Sequence, residues 1–153
     1  MVPFDGSKPS VNALKHALEI AETSGENAEI TLLYVIEKIL LPPLTREEIR
    51  SPKTGDVIDR EQILKEIYYE EKKSATDMLA KAIESIHAQN VRMRLKVMYG
   101  LAYEQIVKHA TKEKTDLIVI GNIGLSGISR LKAMGSVSRA VSECAPCPVM
   151  IVH

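Results

Sequence analysis

The sequence predicts an α/β fold built on a single doubly wound parallel sheet with helices on both faces. Two runs, Ile30 to Ile36 and Leu117 to Ile120, are almost wholly apolar, as strands are when both faces of their sheet are covered. Helix-periodic segments separate these runs from three further strand-like stretches. Strands alternating with helices call for parallel pairing through right-handed crossovers. The 153 residues suit one domain, residues 1–153, with a core that needs neither metal nor disulfide.

The elements follow in order. Val2-Pro3-Phe4 is a short apolar run that stops at the turn cluster Asp5-Gly6-Ser7. Strands of such sheets usually run about 5–6 residues, so either further residues precede Met1 or the first strand is unusually short. Val11, Leu14, Ala17, Leu18 and Ala21 share one helical face, with Ser7 or Ser10 as the cap and Pro9 in the first turn. After the strand at Ile30 to Ile36, residues Leu40 to Asp59 hold Pro42, Pro43, Pro52 and Gly55 among charges and read as a long loop. A long helix follows, with Leu64, Tyr68, Ala75, Leu79, Ala82 and Ile86 on one stripe and a Glu- and Lys-dense outer face.

Val91 to Val97 alternates between apolar and basic residues, the pattern of an edge strand with one wet face. Gly100 precedes a helix with Tyr103, Ile106, Val107 and Ala110 turned inward, while His16 and His109 read as surface residues. The fourth strand runs into Gly121. Ser136 to Cys144 forms a short helix, and Pro148 to Val152 is the last strand.

Charge and composition exclude several roles. The 20 basic residues balance 20 acidic ones, so no global field draws nucleic acid or an anionic membrane. Arg92, Arg94 and Lys96 lack the interleaved aromatics of a single-strand binder. No apolar run approaches the ~20 residues of a membrane span, and no secretory leader pattern is seen; the expected location is the cytoplasm.

The chemistry concentrates in Gly121-Asn122-Ile123-Gly124-Leu125-Ser126-Gly127 and Gly135-Ser136. Gly121 ends a buried strand and Gly135-Ser136 opens a helix, whose first N–H groups attract an anion. Ligands of open α/β sheets bind beyond the carboxyl ends of the strands, where this segment lies. Phosphate is the guest such a turn suits, with Arg130 or Lys132 as counter-charge. The phosphate-loop and dinucleotide motifs are both absent, so the residues alone leave anion binding and a plain tight turn as alternatives.

Gly-x-x-Gly, a spacer and Gly-Ser together resemble the nucleotide signature of the universal stress protein family. The resemblance extends through Val2-Pro3-Phe4-Asp5-Gly6-Ser7, Leu33-Tyr34-Val35, Asp116 to Gly121, and Ala145-Pro146-Cys147-Pro148-Val149. It implies five strands in the order 3-2-1-4-5 and a homodimer paired through the last strand. It also implies ATP or AMP as ligand, with any Mg2+ held by the phosphates and no metal held by the protein. Residues matching Asp5 and Val35 then hold the adenine, Val35 through its backbone. Gly121, Gly124, Gly135 and Ser136 cradle ribose and phosphates, and Pro3 and Val137 flank the pocket. Asp5 accepts hydrogen bonds but repels phosphate, which suits the base end; an Asx-turn role is the alternative. The spacer Leu125 to Met134 is one residue longer than the family's usual one.

Cys144-Ala-Pro-Cys147 invites a redox reading, but Cys144 closes a helix rather than opening one, against the thioredoxin arrangement, and a zinc site lacks its second pair of ligands. No serine lies in a nucleophile elbow, and no paired carboxylates suggest acid–base catalysis. The expectation is therefore a stress-related regulatory nucleotide binder with an unidentified protein partner, hydrolysing ATP slowly at most. The alternative is a nucleotide-free module that dimerises or docks a client on the long helix.

Overall fold

Apolar periodicity and turn chemistry account for the elements of the computed structural model, which describes residues 1–24, 28–37, 55, 60–84, 91–125 and 134–153. The order is β1 (Val2–Pro3), α1 (Lys8–Thr23), β2 (Glu29–Ile36), α2 (Arg60–Glu84), β3 (Arg92–Tyr99), α3 (Ala102–Lys112), β4 (Ile118–Gly121), α4 (Ser136–Cys144) and β5 (Val149–Val152). The expected loop from Leu40 to Asp59, apart from Gly55, lies outside the described residues, as does Ile86 of the expected helical stripe. No described helix is long and apolar enough to cross a membrane.

All strand pairs are parallel. The expected single sheet divides into a three-stranded part, β1-β2-β3, and a two-stranded part, β4-β5. In register, Val2 pairs with Leu32, Leu32 with Leu95, and Ile118 with Val149. The two parts meet at Met1, whose ammonium donates to the Leu117 carbonyl at 2.8 Å and whose carbonyl accepts from Val119 N–H at 3.0 Å. In a parallel ladder every second residue faces the same neighbour, so residue 3 carries the next bond toward β4. That residue is proline and has no N–H to give. The turn at Gly6, with φ of 82°, then takes the chain out of the sheet.

Both faces are covered. On one, Leu14, Ala17, Leu18 and Ala21 of α1 and Leu79 of α2 pack against Val2, Ile30, Leu32 and Val119. On the other, Ile106 and Ala110 of α3 and Val141 of α4 pack against Leu33, Ile118 and Ile120. Ser7 caps α1, its Oγ accepting from Ser10 N–H at 3.3 Å, with Pro9 in the first turn.

Three side chains depart from expectation. Tyr103 is 36% exposed, whereas His109, expected at the surface, is buried. The buried face of α3 is Ile106, His109 and Ala110, which keeps two residues of the predicted stripe and turns toward His109, and burial lowers the His109 pKa. Leu95 is 39% exposed despite its apolar position. The edge character of β3 shows in Arg94, whose Nε lies 3.0 Å from Glu29 Oε2. Its far end is braced by an edge-to-face contact of Tyr68 and Tyr99, with ring centroids 5.3 Å apart.

Leu79 is fully buried and anchors α2 on the sheet. Leu79→Ala is expected to cost about 2–5 kcal/mol in urea unfolding. Changes at exposed Glu and Lys positions of α2 should stay within about 0.5 kcal/mol.

Candidate functional site

The carboxyl ends of β1, β2 and β4 open onto a cleft of about 510 Å³. Pro3, Asp5, Val35, Gly121, Gly124, Gly135, Ser136 and Val137 all line it, so one cavity gathers every described site residue that the sequence singled out. Arg130 and Lys132 lie outside the described residues. The ends of the spacer, Gly124 and Gly135, reach the cleft despite its extra residue. Tyr34, Glu37 and Ser138 line it too, and sequence reasoning had not marked them as site residues.

Asp5 sits where β1 turns into α1. Its Oδ1 accepts from Ser7 N–H at 2.9 Å, the Asx turn weighed as an alternative, and its Oδ2 accepts from Leu125 N–H at 2.9 Å. The Asx-turn bond does not by itself exclude a ligand, since an ionised carboxylate has about four acceptor positions. Burial opposes the charge, but the hydrogen bonds from Ser7, Leu125 and Ser10 outweigh it and hold the carboxyl below its ordinary pKa. A Cβ on Gly124 would lie 2.7 Å from Asp5 Oδ2, so glycine is what lets the loop approach this carboxylate. Burial, with Glu71, Asp5 and Glu37 nearby, raises the pKa of the Tyr34 phenol. This end of the cleft is negative.

The turn from β4 to α4 lines the cleft as well. A Cβ on Gly121 would meet the Pro9 carbonyl carbon at 2.8 Å and Ser10 N at 2.9 Å. This glycine therefore serves the close packing of α1 on β4, a role the ligand-based reading did not foresee. The Gly135 amide, expected to face a ligand, donates instead to the Asn122 carbonyl at 2.7 Å. Donors remain further on. The first intrahelical bond of α4 runs from Arg139 N–H to the Gly135 carbonyl, 3.1 Å, and no side chain caps the helix. The N–H groups of Ser136, Val137 and Ser138 thus stand at the cleft without helical partners, where the helix dipole is positive.

Cys144 ends α4 and is exposed, and Cys147 is half-buried. Among the described residues no group of three or more His, Cys, Asp or Glu could hold a metal ion.

The sequence model described as the Universal stress protein family matches residues 1–153. The chain is 32% identical to universal stress protein YxiE of Bacillus subtilis over 153 residues, covering 100% of this chain and 97% of that one. Among solved structures, universal stress protein UspA of Lactobacillus plantarum superposes with a TM-score of 0.76 at 25% identity, covering 99% of this chain and 94% of that one. A universal stress protein solved in complex with cAMP gives a TM-score of 0.55 at 26% identity, with 99% and 94% coverage.

The lowered pKa of Asp5 makes a pH prediction. A carboxyl whose folded pKa lies below its unfolded one adds stability above the unfolded value, and that stability is lost as pH falls through the folded value. The gap in unfolding free energy between wild type and Asp5→Asn should be full near neutrality and shrink below about pH 4. A gap that urea titrations find independent of pH would refute this role.

Proposed function

The chain belongs to the universal stress protein family, and on that premise we propose that it binds an adenine nucleotide, ATP or AMP, in the cleft beside Asp5 and α4. The observation that carries the proposal is the mixed lining of this one cavity, which holds both a fixed carboxylate and the uncapped first amides of α4. Between them Val35, Ile106, Ile120 and Val137 offer apolar wall for a base. Asp5, held ionised, accepts a hydrogen bond from an amino group or ribose hydroxyl and keeps phosphate away from its own end. Phosphate then goes to the N–H groups of Ser136, Val137 and Ser138, with Arg130 and Lys132 as counter-charges and any Mg2+ held by the phosphates. The relative in complex with cAMP supports an adenine nucleotide as the ligand class.

The role is regulatory binding in a stress response rather than catalysis, with slow ATP hydrolysis at most. The single domain acts in the cytoplasm as a homodimer joined through β5, with a further protein partner and without nucleic acid. In support of the dimer, β5 has β4 as its sole strand partner among the described residues, and Met150 is 37% exposed.

ATP or AMP at a hundred times Kd should stabilise the fold by about 2.7 kcal/mol, roughly 5–10 °C in Tm for a domain of this size. Ser136→Pro separates binding from folding. Proline is tolerated at the first helical position, and Gly135, at φ −71° and ψ 162°, already has the backbone that precedes a proline. The variant loses one N–H and the hydroxyl, so its melting temperature without ligand should hold while the ATP shift falls. An undiminished shift would move the phosphates elsewhere. No shift in wild type with either nucleotide, with or without magnesium, would leave only the nucleotide-free interaction module.

A further inference from the structure

Ser138 is buried, 3% exposed, although it stands in the first turn of α4 beside the cleft. Its hydroxyl lies 2.8 Å from the Asn122 carbonyl oxygen and 3.1 Å from that of Gly135. The Asn122 carbonyl also accepts from Gly135 N–H at 2.7 Å. One oxygen at the end of β4 thus receives two donors from the start of α4, and the chain between them, residues 123–134, begins and ends at that junction.

Asn122 is itself held from a separate direction. Its N–H donates to the Val152 carbonyl at 2.7 Å, and its Nδ2 lies 2.8 Å from His153 Nδ1. The His153 carbonyl in turn accepts from Asn12 Nδ2 at 3.1 Å. The reference point for α4 is therefore anchored to β5 and α1, neither of which belongs to the spacer.

We infer that Ser138 is a positioning residue for the phosphate end of the cleft. Its hydroxyl, clamped on the Asn122 carbonyl, sets where the first amides of α4 stand, independently of spacer length. The inference rests on the nucleotide reading above and adds to it a residue, and a regional effect, that the family signature does not supply. A clamp on α4 acts more on the phosphate contacts than on the base contacts, since of the residues assigned to the base only Val137 lies on α4.

The test compares AMP with adenosine, which lacks the phosphate, by calorimetric titration of the full chain with Ser138 or Ser138→Ala. Alanine nearly conserves volume at this site and removes the hydroxyl, so the variant should fold. Loss of a hydrogen bond of this kind predicts a rise in AMP Kd of about three- to tenfold, with a smaller change for adenosine. Hydrogen exchange supplies a readout that needs no ligand: the Gly135 amide, which shares the clamped carbonyl, should exchange faster in Ser138→Ala. Equal weakening of AMP and adenosine, or no weakening of either, would overturn the inference. Should wild type bind neither ligand, the nucleotide reading fails by itself. The clamp is then judged on exchange alone, supported by faster Gly135 exchange and overturned by an unchanged rate.

Discussion

Parallel pairing is the constraint from which the site follows. Strands that all run one way release their chains at one edge of the sheet, so the turns after Pro3, Ile36 and Gly121 collect there whatever their sequences. The helices that return the chain begin at the same edge and bring the positive ends of their dipoles with them. A cavity between those turns is then bordered by strand carbonyls and helix amides. What this chain adds is the asymmetry: the start of α1 is capped by Ser7, whereas that of α4 carries no cap. Only uncapped N–H groups are available to an outside acceptor.

The junction of β1 with β4 shows how narrowly the sheet is joined. β1 is two residues long, and Pro3 interrupts its bonding on the β4 side. Two hydrogen bonds at Met1, together with Val2 and Phe4 in the core shared with Val119, bring the parts together. Apolar packing here substitutes for the ladder that a longer strand would form.

Much of this was legible in the sequence, because burial on both faces leaves few polar residues in a strand. The runs at Ile30 to Ile36 and Leu117 to Ile120 could hardly read otherwise, and Leu14, Ala17, Leu18 and Ala21 marked the inner face of α1 correctly. The membership of the cleft was legible for a different reason, since the glycines and the Gly-Ser pair resemble a family's signature. The roles within it were less so. Glycine at 121 looks the same whether a ligand or a helix needs the space, and only the contact with Pro9 and Ser10 distinguishes them. The engagement of the Gly135 amide depends on where the Asn122 carbonyl lies, which no local pattern encodes. In α3, Tyr103 and His109 exchanged expected places because a rotation of less than one residue about the helix axis is enough to turn one out and the other in.

The shared carbonyl of Asn122 also bears on how this protein can diverge. With both ends of residues 123–134 tied to one atom, adding a residue to a loop of this length changes its closure entropy by only about 0.1 kcal/mol. Chain closure thus sets little barrier to a change in length here, and any cost of an insertion falls on groups within the stretch, such as Gly124 beside Asp5.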